Sequence, residues 1–145
     1  MNDQKTPGDE PAVSSPDLTL ALALGRKAQL PFHIVGIGAS AGGLQALEEF
    51  FDNVPLDSGM AYVVVQHLSP DHTSLLGEIL SRRAGIPVTE IKDGMIVEPN
   101  KAYVIAPGHT LTLELGTLRL GDPDEKRGHR RPVDDFFRSL SVEQN

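Results

Sequence analysis

The sequence predicts an α/β domain: a doubly wound, mostly parallel sheet carrying one antiparallel β-hairpin. Three observations lead there. Apolar runs rich in β-branched residues alternate with stretches of helical periodicity over residues 32–91. One of those runs, residues 61–65, is apolar throughout, as a strand covered on both faces must be. Between residues 110 and 120 apolar and polar residues instead alternate strictly, the mark of an antiparallel pair with one wet face.

Length and composition bound the rest. A chain of 145 residues holds one domain with a moderate core. Its formal charge of −7 argues against nucleic acid as a partner, because phosphate binding needs a basic face. With no cysteine there is no disulfide framework, no thiol nucleophile and no Cys-based zinc site. The histidines show no metal-ligand spacing, so no metal is expected. No apolar run approaches the ~20 residues of a membrane span, and membrane insertion is not expected. Residues 18–24 are apolar but short, and the acidic, proline-bearing start ahead of them makes a poor signal peptide. A cytoplasmic protein is expected.

Residues 1–30 read as a tail, because Pro7, Gly8, Pro11, Ser14, Ser15 and Pro16 break any periodicity; residues 18–24 have room for a helical turn or two. The domain then occupies residues 31–145. A first strand over residues 32–38 ends in glycines, and Leu44, Leu47, Phe51 and Val54, with Phe50 beside them, begin a helical face. A loop with Pro55 and Gly59 leads to a second strand over residues 61–66. The loop after it carries Ser69-Pro70-Asp71. Leu75, Leu76, Ile79 and Leu80 mark the next helix, with Arg82 and Arg83 in its last turn and Gly85 to end it. Residues 87–91 read as a short third strand, and residues 102–106 as another, closed by Pro107-Gly108. The hairpin of residues 110–120 turns about Gly116 and is expected to cover a sheet edge. Lys126, Arg127, His129, Arg130 and Arg131 then form a basic cluster, either a solvated loop or a lip beside the site. Pro132 opens a last helix, with Asp134 and Asp135 in its first turn and Val133, Phe136, Phe137 and Leu140 on one face.

Chemistry concentrates where the first strand ends. Gly38-Ala39-Ser40-Ala41-Gly42 is a G-x-S-x-G arrangement at a strand-to-helix turn, which lifts a serine hydroxyl clear of the sheet. On this reading Gly38 and Gly42 keep side chains from crowding the bend and blocking the hydroxyl, and the following helix aims unpaired N–H groups and its positive end at Ser40. The plainer reading is that the glycines let a helix pack closely on the strand. Gly36, Gly38 and Ala41 also satisfy the dinucleotide fingerprint G-x-G-x-x-G/A. That fingerprint wants an acidic residue closing the second strand. Gln66-His67 stands there instead, and an imidazole suits a serine better than a ribose. Ligands of open α/β sheets lie outside the carboxyl ends of the strands, where Ser40 and His67 both fall. If the two strands are neighbours, serine and imidazole come within reach of each other. His33 falls at the far end; His72, His109 and His129 are loop residues with weaker claims.

Four stretches together resemble the catalytic domain of the CheB-type chemotaxis receptor methylesterases. They are Ile37-Gly38-Ala39-Ser40-Ala41-Gly42-Gly43, Gln66-His67-Leu68-Ser69-Pro70-Asp71-His72-Thr73, Asp93-Gly94 with Tyr103-Val104-Ile105-Ala106-Pro107-Gly108, and His129-Arg130-Arg131-Pro132-Val133-Asp134-Asp135-Phe136-Phe137. The resemblance implies a carboxylic ester hydrolase that demethylates receptor glutamates and also deamidates glutamines. It puts the family's serine on Ser40 and its histidine on His67, with the Ala41 backbone N–H as oxyanion donor. It implies methyl-accepting chemotaxis receptors as substrate and a fused or separate receptor methyltransferase as a further partner, with no cofactor. A non-catalytic binding module of the same fold is the alternative from another class.

Two departures stand beside that resemblance. Many members carry a phosphorylatable receiver domain ahead of the esterase, for which the first thirty residues are too few; the pattern is closer to the esterase module of methylesterase/methyltransferase hybrids. The family's third catalytic residue, an aspartate in an Asp-Gly loop after the last helix, has no counterpart before Asn145, and Asp134 and Asp135 match a different segment. A C-terminally truncated domain is therefore expected, with the face of Phe136 and Phe137 exposed, a weak fold and little activity.

Overall fold

A computed structural model describes residues 30–67, 74–122 and 131–144. The expected tail lies outside these residues except for Leu30, as do His72, His129 and the basic cluster other than Arg131. Strands β1 (Ile34–Ala39), β2 (Ala61–Gln66), β3 (Val88–Glu90) and β5 (Ala102–Val104) form a parallel sheet in the order β1-β2-β5-β3. Strands β4 (Met95–Ile96), β6 (Thr110–Glu114) and β7 (Thr117–Gly121) form a separate antiparallel sheet in the order β4-β7-β6. Helices α1 (Leu44–Asp52) and α2 (Leu76–Arg83) follow β1 and β2, and α3 (Pro132–Glu143) comes last.

The apolar run of β2 has the expected cause. All six of its residues are buried, and its side chains alternate between two cores. Tyr62 and Val64 join Leu47 and Phe51 of α1 and Leu76 and Leu80 of α2. Ala61, Val63 and Val65 join Phe136 of α3 and the leucines of the antiparallel sheet. Helices thus cover both faces, the doubly wound arrangement predicted above.

The hairpin forms as its alternation requires. Leu111, Leu113 and Leu118 are buried, while Glu114 and Arg119 face solvent. Its two-residue turn puts both Leu115 (φ 51°) and Gly116 (φ 73°) in the left-handed region, the signature of a turn whose twist matches the strands it joins. The role expected for it differs. Its leucines belong to the core on one face of the parallel sheet, so the hairpin covers a face rather than an edge. It also gains a third strand, β4, for which two residues give no periodic signal. At the head of α2, Leu75 is exposed at 56 % instead of joining the apolar face, because it precedes the first helical turn.

The last helix corrects a larger expectation. Phe136 is fully buried, not exposed, and Ser139 ties α3 to β6 by accepting the Leu113 N–H at 2.9 Å and donating to the Phe136 carbonyl at 2.8 Å. Phe137 remains 39 % exposed but lies against β1. A Cβ at Gly36 would sit 2.7 Å from Phe137 Cε1 and 2.9 Å from Leu140 Cδ2; one at Gly38 would sit 2.6 Å from Val133 Cγ1. Those two glycines let α3 lie directly on the strand. Gly42, by contrast, has nothing within 4 Å of the position a Cβ would take.

This contrast yields a stability prediction. Gly36→Ala should destabilise the fold by about 1–3 kcal/mol through overpacking. Gly42→Ala should leave it unchanged or raise it by about 0.4–1 kcal/mol. Urea unfolding of the two variants checks this, and equal midpoints would show that α3 does not press on β1.

Candidate active site

Six residue pairs of the parallel ladder align β1 with β2, from Ile34 opposite Ala61 to Ala39 opposite Gln66. Ser40 and His67 are the next residues on each chain. The ladder does not stop before them, since the His67 N–H donates to the Ala39 carbonyl at 3.2 Å. Strands in a sheet run ~4.8 Å apart, so the serine and the histidine leave the sheet as neighbours at its carboxyl end. Both are exposed.

Ser40 has extended backbone (φ −87°, ψ 175°) and heads a three-residue 3-10 turn, Ala41–Gly43, closed by the Gly43 N–H on the Ser40 carbonyl at 2.9 Å. Its hydroxyl makes no capping bond to that turn. The 3-10 turn amends the expected electrostatics. Helix α1 starts only at Leu44, and the dipole effect fades within about a turn, so the nearest positive end is that of the short turn's own amides. Ala41 is the first residue of the turn, where an N–H has no intrahelical acceptor.

The glycines also read differently. Gly42 was expected to keep the bend clear, yet its surroundings are open and its backbone is not left-handed. Gly38 does relieve crowding, but from Val133 of α3 rather than at the serine. The same contacts dispose of the dinucleotide fingerprint. The space above Gly36 and Gly38 is filled by Phe137, Leu140 and Val133, leaving no cradle for a pyrophosphate.

Other groups take their places around this end. The backbone of β5 continues into Ile105, whose N–H donates to Val64, and then into Pro107, Gly108 and His109, so half-buried His109 follows the strand next to β2. Val133 over Gly38 brings the first turn of α3, with Arg131 just ahead of it, toward the same end of β1. Arg131 and Asp134 pair at 3.7 Å, both more than half exposed. His33, whose carbonyl accepts the Ala61 N–H, lies at the opposite end, as expected. An apolar groove lined by Val35, Phe50, Val54, Met60 and Tyr62 contains none of the site residues. Among the described residues no three His, Asp or Glu side chains gather as a metal set.

One residue escaped the sequence reading. Gln66 is the one polar residue among the buried side chains of the described chain, and its amide Nε2 donates to the Ser40 carbonyl at 3.1 Å. The signal was a lone amide at the end of an otherwise apolar strand.

A model of the CheB methylesterase family matches residues 35–145. The chain belongs to that family. Among its relatives, a protein-glutamate methylesterase/protein-glutamine glutaminase of Halalkalibacterium halodurans is 39 % identical over 114 residues, covering 75 % of this chain and 33 % of that protein. One from Geobacillus kaustophilus is 38 % identical over 114 residues, covering 75 % and 32 %. The solved catalytic domain of Thermotoga maritima CheB methylesterase superposes with a TM-score of 0.62 at 30 % identity, over 78 % of this chain and 62 % of that one. The chain thus spans about a third of the length of these curated relatives.

Proposed function

We propose that this chain carries the serine-esterase chemistry of a protein-glutamate methylesterase, with Ser40 as nucleophile and His67 as base. The observation that carries the reading is the register of β1 on β2, which delivers the two residues side by side at the sheet's carboxyl end. The family match supplies the reaction class.

In the proposed sequence His67 takes the hydroxyl proton as Ser40 Oγ attacks the ester carbonyl of a methylated glutamate. The carbonyl oxygen becomes an oxyanion, for which we assign the Ala41 N–H as donor. Collapse breaks the bond to methoxide; His67 returns the proton and methanol leaves. Water, deprotonated by His67, then splits the acyl-serine and frees the glutamate carboxylate and the Ser40 hydroxyl. A glutamine substrate follows the same path with ammonia as the leaving group. Neither path needs a metal or cofactor.

The substrate we assign is the glutamate-rich methylation region of chemotaxis receptors, with a fused or separate methyltransferase supplying the ester. A cytoplasmic setting fits a chain without cysteine whose described helices are none of them long and apolar enough to cross a membrane.

An irreversible serine-directed phosphonate tests the nucleophile. It should label Ser40, and Ser40→Ala should abolish both labelling and methanol release while leaving the fold intact. Labelling elsewhere, or full turnover by the alanine variant, would sink the assignment; receptor binding without any labelling would favour a non-catalytic module.

Arg131 extends the proposal to the substrate. It stands exposed near the site end of an acidic protein and suits the carboxylates of a receptor helix. Arg131→Gln should slow demethylation of intact receptor severalfold at low salt, and added salt should erase the difference. An unchanged low-salt rate would leave Arg131 as a solvated surface charge paired with Asp134.

A further inference from the structure

We infer that Gln66 is a positioning residue for the reaction: its side-chain amide fixes the peptide joining Ser40 to Ala41 and thereby aims the Ala41 N–H. The inference rests on the esterase reading above.

The Ser40 carbonyl is held from two sides. It accepts two hydrogen bonds, from Gly43 N–H at 2.9 Å and from Gln66 Nε2 at 3.1 Å. A carbonyl oxygen has two lone pairs, and both are now directed. The peptide is planar, so the Ser40 C=O and the Ala41 N–H point in opposite directions within one rigid unit. Holding the oxygen from two sides therefore sets the direction of the hydrogen. Donors on a carbonyl also polarise the amide it belongs to, which makes the N–H on the other side a better donor.

The alternative is that Gln66 is merely a buried amide that has found a partner. Its position speaks against this. The five residues before it on β2 are apolar and buried, and an apolar side chain would continue them without an amide to desolvate. The polar residue appears only at the last position of the strand, level with Ala39 in the ladder. There the end of β2 holds two successive residues of the chain leading into the turn, the Gln66 side chain donating to the Ser40 carbonyl and the His67 N–H to the Ala39 carbonyl at the end of β1. Adjacent residues thus hold the base and the turn in one frame. The 3-10 turn is closed only by its own backbone amides, and its residues Ala41 and Gly42 are exposed. Gln66 supplies the lateral restraint that the turn lacks.

Gln66→Met keeps the length of the side chain and removes the donor; Gln66→Asn keeps the amide but shortens its reach. Two measurements on each variant decide the matter. The first is the NMR signal of the Ser40 carbonyl carbon and the Ala41 amide, which responds to hydrogen bonding whether or not the chain turns over. The second is steady-state methanol release from methylated receptor. Losing an oxyanion donor outright costs about 10²–10³ in kcat, so misaiming one should cost about 10–100-fold, with KM within about twofold. Both variants should shift the Ser40 and Ala41 signals and retain near-normal unfolding midpoints. Unmoved signals, or a loss confined to KM or to stability, would overturn the inference. A wild type that neither releases methanol nor takes up a serine-directed phosphonate at Ser40, but whose Ser40 and Ala41 signals still move in the variants, would refute the esterase reading and leave the positioning of the peptide standing. Should both variants fail to fold, the unmutated chain answers: slow exchange of a Gln66 side-chain amide proton supports the bond, and fast exchange refutes it.

Discussion

The ladder between β1 and β2 is the constraint on which the site depends, because a parallel register that slips by one residue turns every side chain to the other face. Here the slip is prevented from both sides. Ala61, Val63 and Val65 must meet α3 and the antiparallel sheet, while Tyr62 and Val64 must meet α1 and α2. Either face alone would fix the register of β2, and together they leave it no alternative. The register carries through Ala39 opposite Gln66 to the residues that follow, so burial at the centre of the sheet sets the placement of Ser40 and His67 at its rim. Packing and chemistry are here one argument: the core needs no knowledge of the serine to deliver it.

Helix α3 completes the frame from the other face. Its Val133, Phe137 and Leu140 occupy the room that Gly36 and Gly38 leave, and its Ser139 hydroxyl satisfies the Leu113 N–H of β6. One helix therefore joins the parallel sheet to the antiparallel one. It also presses on β1 two residues before Ser40. A glycine in a serine motif invites a catalytic explanation, but for Gly38 the distances give a packing one, and for Gly42 they give neither. The link between helix packing and the serine turn runs through the backbone of β1, not through contact with the hydroxyl.

Much of this was legible in the sequence for identifiable reasons. Long elements announce themselves by period, so β2, α1 and the hairpin were found nearly at their bounds. The juxtaposition of Ser40 and His67 was legible because it needs only that consecutive parallel strands be neighbours. Long-range choices left no local trace. Strand β5 enters between β2 and β3, and β4 pairs with β7 across more than twenty residues with only two residues of its own. The partner of Gly36 lies a hundred residues away in α3, which no periodicity reveals. Gln66 was visible as an amide closing an apolar strand where the dinucleotide fingerprint wants a carboxylate; its contact with the Ser40 carbonyl belongs to three dimensions.

The central claim is that Ser40 and His67 act as one unit because the β1–β2 register holds them together. A double-mutant cycle tests it most directly, with methanol release measured for Ser40→Ala, His67→Ala and the double variant. Residues that work as a unit are strongly non-additive, so the double variant should be no slower than the slower single one. Losses that multiply, or a His67→Ala variant that keeps its rate, would contradict the account.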